Sequence, residues 1–401
     1  MGIRSVFAWA PRIAAVCGAL LLSACGGGGS GGSMIPPPGQ GTLKVSLTDG
    51  PACGFDHVYV TVDRARVHTS ATAADTDTGW SEVVLNPGPQ KIDLLTLTNG
   101  VLYTLGQTAL PPGTYQQIRL VLAANSGNTL ANSVVPTGGT EQPLDTPSGQ
   151  QSGLKVNGDF TVQANRLADI VLDFDACKSI VKRGNGTYGL KPVITAIPVT
   201  VAGQITGMVT AAPGAQIYAE RNGTVVKATV ADANGNFTLS PIEQVASTDT
   251  VDIVIVPTAA NGLATGVIRG VPVVSGQVFS IGTVALPPSS YRRVSGAISP
   301  INADVTVSAM QTIGGNSYEI ASTSATTING SYGYSLYVDT PALPAAAPVF
   351  GDYRTMLPIP LSFDTGATGQ YTIGATLAGG ATVTRQVNVA AGDVVNVDFS
   401  F

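Results

Sequence analysis

Between residues 57 and 63 the chain alternates strictly. Val58, Val60 and Val62 take one side, and His57, Tyr59, Thr61 and Asp63 take the other. A period of two is the repeat of a β-strand and does not fit the 3.6-residue period of a helix. The phase then flips, with Ala65 and Val67 taking the apolar role, which predicts a β-bulge. Residues 42–48 alternate in the same way and break at Asp49-Gly50-Pro51. So do residues 115–122 behind Pro112-Gly113, with Ile118, Leu120 and Leu122 inward. In residues 169–175, Ile170, Leu172 and Phe174 face in, and Asp173 and Asp175 are expected to face out. One solvated face per strand predicts antiparallel sheets packed as a sandwich. Only residues 94–104 leave room for a short helix. With 48 glycines, 26 prolines and 11% charged residues, the composition is that of an all-β envelope protein. The expected fold is all-β: tandem antiparallel β-sandwiches, one larger N-terminal sandwich and two small immunoglobulin- or transthyretin-like ones.

The N-terminus reads as a secretory signal. Arg4 and Arg12 precede an apolar stretch, residues 13–22, that is too short for a membrane span of about 20 residues. Leu22-Ser23-Ala24-Cys25 is similar to the bacterial lipobox. That resemblance implies a diacylglycerol thioether on Cys25, cleavage before it, and acylation of the new terminus by palmitate-type chains. An ordinary cleavable signal with a chance cysteine is the alternative. Gly26 after the cysteine, by resemblance to sorted lipoproteins, favours the outer membrane of a Gram-negative bacterium, facing either the periplasm or the cell surface. Residues 1–24 are thus a signal peptide. Residues 25–41 are the lipidated cysteine with a Gly/Pro-rich linker, which buries nothing and cannot fold. Gly28 to Gly32 fits the G-x-S-x-G nucleophile pattern but lacks the strand and helix that pattern needs. Cleavage would leave 18 basic and 25 acidic residues, a net charge of −7. This charge argues against nucleic acid as a partner and leaves the lipid as the membrane contact.

Residues 42–198 form the first unit. The stretches LKVSLTDGPACGFDHVYVTVDRARVH (43–68), KIDLLTLTNG (91–100), LPPGTYQQIRLVL (110–122), LDFDACKSI (172–180) and YGLKPVI (188–194), together with Trp80, carry a resemblance. It is to an uncharacterised domain family of Gram-negative lipoproteins, a family with no established activity. Residues 199–289 and 290–401 then read as a diverged tandem repeat. Gly207 aligns with Gly296, Asn234-Gly235 with Asn329-Gly330, and Gly276 with Gly392. Asn-Gly between apolar strands predicts a type I′ hairpin in each copy. DANGNFTL and the closing Gly-x-Val strand resemble the carboxypeptidase regulatory-like module, a small transthyretin-like sandwich that serves as an accessory domain. The second copy lacks the aspartate of the turn. At the C-terminus Val395, Val397, Phe399 and Phe401 share one face, as a closing strand would.

Candidate chemistry is sparse. After Cys17 and Cys25, only Cys53 and Cys177 remain, and an oxidising compartment predicts one disulfide between them, with two buried thiols as the alternative. His57 and His68 are the only histidines, and both sit in one strand region. No catalytic residues, metal site or cofactor are assigned. Asp75 and Asp77 open like a calcium loop but lack its later ligands. Tyr332 and Tyr334 share a strand face and could stack on sugar rings. The expected protein is a non-enzymatic outer-membrane lipoprotein, a structural or ligand-binding envelope component whose partner is a glycan or an envelope protein. The alternatives are a surface glycan-binding adhesin and a hydrolase built on Asp173 and Asp175.

Overall fold

The computed structural model describes residues 39–50, 54–127, 129–156, 158–183, 185–301, 303–328, 331–336 and 342–401, the side chains of Ser148 and Cys177 excepted. Cys25, the signal segment, most of the linker, Cys53 and Asn329-Gly330 lie outside the described residues, as does the side chain of Cys177. Regular structure is almost all strand, and the helices are short turns such as Pro147–Gln151 and Ala176–Ser179. The fold is a tandem array of β-sandwiches.

The 14-residue strand Phe55–His68 organises the first sandwich. Val58, Val60 and Val62 are buried, then Ala65 and Val67, as the alternation predicts. The phase change coincides with a register shift between Val62 and Arg64 against Gln117–Leu122, the expected bulge. Before the bulge the strand pairs with Ser133–Pro136 and Lys91–Asp93; after it, with Gln117–Leu122 and Ser81–Leu85. One strand therefore serves both layers.

Gly41–Asp49 departs from the antiparallel pattern. It runs antiparallel to Tyr103–Leu110 but parallel to Leu167–Phe174. Leu43, Val45 and Leu47 are buried on one side and Ser46 and Thr48 on the other, the two-sided cover that parallel pairs require. Each fully buried large aliphatic here contributes about 1.5–3 kcal/mol. The helix allowed for residues 94–104 shrinks to the 3₁₀ turn Leu94–Thr96, capped by Asp93 and ended by Asn99 and Gly100 at positive φ.

The two smaller sandwiches repeat one topology. In the first, Ala202–Val209 pairs antiparallel with Asn236–Glu243 and parallel with Val278–Val284. Its facing sheet begins Thr224–Val230, Gln216–Arg221, Asp249–Val256, Gly266–Val273. In the second, Ser295–Ser299 pairs antiparallel with Ser331–Ser335 and parallel with Phe399–Ser400. The facing sheet there runs Asn316–Ser324, Val305–Ile313, Gln370–Leu377, Thr382–Asn388. Equivalent strands recur in the same order and sense, the structural mark of a repeat.

The turns differ from expectation. Asn234-Gly235 joins strands of two different sheets, and Asp232 Oδ1 accepts from the N–H groups of Asn234 and Asn236 at 2.8 Å each. Only Gly235 of that pair has positive φ, so the turn is not type I′. The type I′ hairpin falls instead at Asn222-Gly223, with φ of 51° and 75°, between Gln216–Arg221 and Thr224–Val230. In the second copy Ile328 pairs with Ser331, so the strands flanking Asn329-Gly330 are hairpin partners. At the C-terminus Val397 and Phe399 are buried, but Asn396 at φ 61° interrupts the strand and leaves Val395 exposed.

The copies are also joined. Val349–Asp352, from the second copy, adds in parallel to Gly266–Val273 of the first. Tyr218, Val254, Val256 and Val267 of the first copy share a hydrophobic cluster with Tyr334, Tyr371 and Phe399 of the second.

Candidate functional site

The densest set of ionisable groups lies where the three sandwiches meet. Asp49 ends the Gly41–Asp49 strand, and its Oδ1 accepts the Ala176 N–H at 3.0 Å. Asp173 comes from the neighbouring strand Leu167–Phe174. Asp175 caps the one-turn helix Ala176–Ser179, accepting from the Lys178 N–H at 3.0 Å. The second sandwich supplies Lys227, whose side chain is 2% exposed and whose Nζ lies 2.6 Å from Asp173 Oδ1. It also supplies Glu220, which accepts the Glu319 N–H at 3.2 Å. The third adds Glu319, 3.5 Å from Lys178, and Tyr318, whose hydroxyl donates to Asp252 at 2.7 Å. Asn99 bonds Thr229 and Thr238, and Lys191 pairs with Asp304 at 2.8 Å across the outer rim.

Burial governs the protonation of these groups. It raises the Asp49 carboxyl well above the usual range, and the nearby Asp175 and Asp173 raise it further. Burial also raises Asp173, with Lys227 opposing. Glu220 is pushed up to about 8 by burial. One oxygen each of Asp49 and Glu220 is buried without a partner. Burial pulls the Lys178 ammonium down, but Glu319 and Asp175 outweigh it and hold its pKa up.

The expected outward face of Asp173 and Asp175 is thus corrected. Asp173 faces Lys227 of the next sandwich, and Asp175 caps a helix. The cleft beside them, about 100 Å³, is smaller than the roughly 300 Å³ at which ligand pockets begin. It is a joint, and no two of these carboxylates face a substrate-sized space there.

The tyrosine platform is corrected as well. Tyr334 is 2% exposed and its hydroxyl donates to the Val397 carbonyl at 2.9 Å. Tyr332 is half-buried and donates to the Ala303 carbonyl at 2.5 Å. Both rings pack on the third core, because that strand turns its tyrosine face inward.

The calcium reading of Asp75 and Asp77 meets a different obstacle. Asp77 caps its own turn by accepting the Ala74 N–H. The loop's carbonyls are already taken by Arg66 at Asp75, Arg119 at Ala73 and Lys155 at Ala71. Cations of the chain hold the oxygens that a calcium ion would need. Trp80, 4.5 Å from the Arg66 guanidinium, closes the loop over this basic face. No group of three metal-ligating side chains occurs among the described residues. His57 pairs with Asp93 at 2.6 Å and stacks on Tyr59.

The sequence reading missed Asp49, Lys178, Glu220, Lys227 and Glu319. The one signal it carried was a lone lysine inside an apolar strand, VVKATV, which has no reason to be there unless paired.

The family profile of a domain of unknown function, DUF4382, matches residues 40–192. No curated protein matches the chain. Among solved structures, GBS52, the minor pilin of the Gram-positive pathogen Streptococcus agalactiae, aligns at 9% identity and a TM-score of 0.17, over 61% of this chain and 96% of that one. A structure described for host cell surface retention of a 1.5-MDa bacterial ice-binding adhesin aligns at 11% identity and a TM-score of 0.11, over 90% and 100%. Superpositions at that level transfer neither fold nor function. Residues 40–192 are thus similar to DUF4382, a domain of unknown function, and two smaller sandwiches of common topology follow them.

Proposed function

We propose that this chain is a lipid-anchored scaffold of the Gram-negative outer membrane, a non-catalytic structural or ligand-presenting component of the envelope. The observation that carries the reading is the three-way junction. There Asp173 of the first sandwich pairs with Lys227 of the second, and Lys178 of the first pairs with Glu319 of the third, so ion pairs link each small sandwich to the first. A tether of glycine, serine and proline after Cys25 suits a rigid body that must stand clear of a membrane. The repeated topology supports reading the two small sandwiches as regulatory-like accessory modules. The proposal includes a Cys53–Cys177 disulfide. Gly50 N–H donates to the Phe174 carbonyl at 2.9 Å, and Asp49 is in parallel register with Phe174, so the two strands that precede the cysteines in sequence end side by side. Such a bridge would add about 5 kcal/mol on the chain-entropy model.

Expression in a Gram-negative host with radiolabelled palmitate tests the anchor. The protein should take up label and sediment with the outer membrane, and Cys25→Ala should do neither. An unlabelled wild-type protein recovered in the soluble fraction would refute the proposal.

A further inference from the structure

A groove of about 420 Å³ runs along the third sandwich, between Ser295–Ser299, Ser331–Ser335 and residues 396–398. Its volume falls within the range of small-ligand sites, unlike the cleft at the junction. Two polar atoms of its lining residues are buried and unpaired: Ser335 Oγ, on a residue 8% exposed, and Arg293 Nε. Buried polar atoms are paired more than nine times in ten, so two orphans on the lining of one groove leave unused hydrogen-bonding capacity beside a ligand-sized space.

The closing strand shapes the groove. Asn396 at φ 61° breaks the ladder, so Ala297 N–H is taken by Asp398 Oδ1 at 2.7 Å and not by strand backbone. That bulge sets an amide and a carboxylate two residues apart on the groove wall. β-Bulges re-aim side chains in this way beside functional sites. Tyr332 adds an apolar wall.

Charge chooses among ligand classes. The lining holds one cation, Arg293, and one anion, Asp398, and Arg293 also lies 3.7 Å from Asp393 outside it, so the groove has no excess positive charge. A groove without excess positive charge does not favour phosphate, sulfate or uronate groups. Serine hydroxyl, amide, guanidinium N–H and carboxylate together offer donors and acceptors at close spacing, the set that adjacent hydroxyl groups satisfy.

We infer that this groove binds a neutral, hydroxyl-rich ligand, a sugar unit of an uncharged polysaccharide. Tyr332 contributes a wall, and neither tyrosine forms a stacking platform. This inference does not depend on the lipid anchor or on the scaffold reading.

Affinity gel electrophoresis of the full chain, run through dextran, galactomannan, mixed-linkage β-glucan and soluble starch, with polygalacturonate as the charged probe, tests it. At least one neutral polymer should retard the protein. Ser335→Ala removes the orphan hydroxyl and Asn396→Gly removes the amide while keeping the positive φ that glycine tolerates. Each should weaken retardation at least tenfold, with a urea midpoint no lower than wild type for Ser335→Ala. Mobility unaffected by every neutral polymer, retardation by polygalacturonate alone, or retardation unchanged in both variants would overturn the inference.

Discussion

Replacing Lys227 by methionine tests the junction in isolation. The ammonium is 2.6 Å from Asp173 Oδ1 and its side chain is 2% exposed, so solvent cannot substitute for it. Without it Asp173 retains its burial and its repulsion by Asp175, both of which raise its pKa. Removing one partner of a buried ion pair costs about 3–5 kcal/mol, because the other charge is left without compensation. Methionine keeps most of the aliphatic packing, so the loss is electrostatic. Asp173 can escape by taking up a proton, and the sign follows from that. In the variant its folded pKa rises further above the unfolded value, so stability is greatest at acid pH and falls as pH rises through the folded pKa. The expected loss is about 3–4 kcal/mol at pH 7 and clearly less at pH 5. Urea unfolding read by Trp80 fluorescence measures it. Trp9, the only other tryptophan, lies in the proposed signal, so a mature chain reports from the first sandwich although the mutation is in the second. Asp173→Asn in the Lys227→Met background should recover most of the loss. A change below 0.5 kcal/mol, or a loss that neither acid nor Asp173→Asn relieves, would refute the reasoning.

Other positions give sharper single readouts. Glu220 has a folded pKa of about 8 against an ordinary value of 4.5, so its contribution is present below the ordinary value and is lost as pH rises toward 8. Glu220→Gln should flatten the decline in urea midpoint between pH 5 and pH 8. Gly223 has φ of 75°, and a Cβ there would lie 2.7 Å from the Ser317 carbonyl, so Gly223→Val should cost about 2 kcal/mol or more in the same assay. Tyr334→Phe removes one hydrogen bond to the Val397 carbonyl and should cost about 1 kcal/mol with little change in packing.

The strands were legible because period two survives in a single sequence. Val58 to Val67 gave both a strand and its bulge, and the matched glycines Gly207 and Gly296 gave the repeat whose topology the two copies share. Pairing was less legible. The parallel contact of Gly41–Asp49 with Leu167–Phe174 depends on what covers each face, which local alternation does not record. The site was the least legible part. An aspartate that alternates with apolar residues looks the same whether it meets water or the lysine of another sandwich. Asp173 and Lys227 lie in separate modules, so no local spacing links them. Tyr332 and Tyr334 fail for the same reason: alternation says that they share a face but not which face is inward. Asn222-Gly223 and Asn234-Gly235 carry the same dipeptide, and the Asp232 side chain, by accepting two turn N–H groups, makes the second an inter-sheet turn.

The three sandwiches form one body held by their buried junction. Scanning calorimetry of the intact mature chain tests it most directly. One body unfolds in a single endotherm whose calorimetric and van't Hoff enthalpies agree, and in Lys227→Met that endotherm should split into separate transitions. Well-separated endotherms in the wild-type protein, unchanged by that substitution, would contradict it.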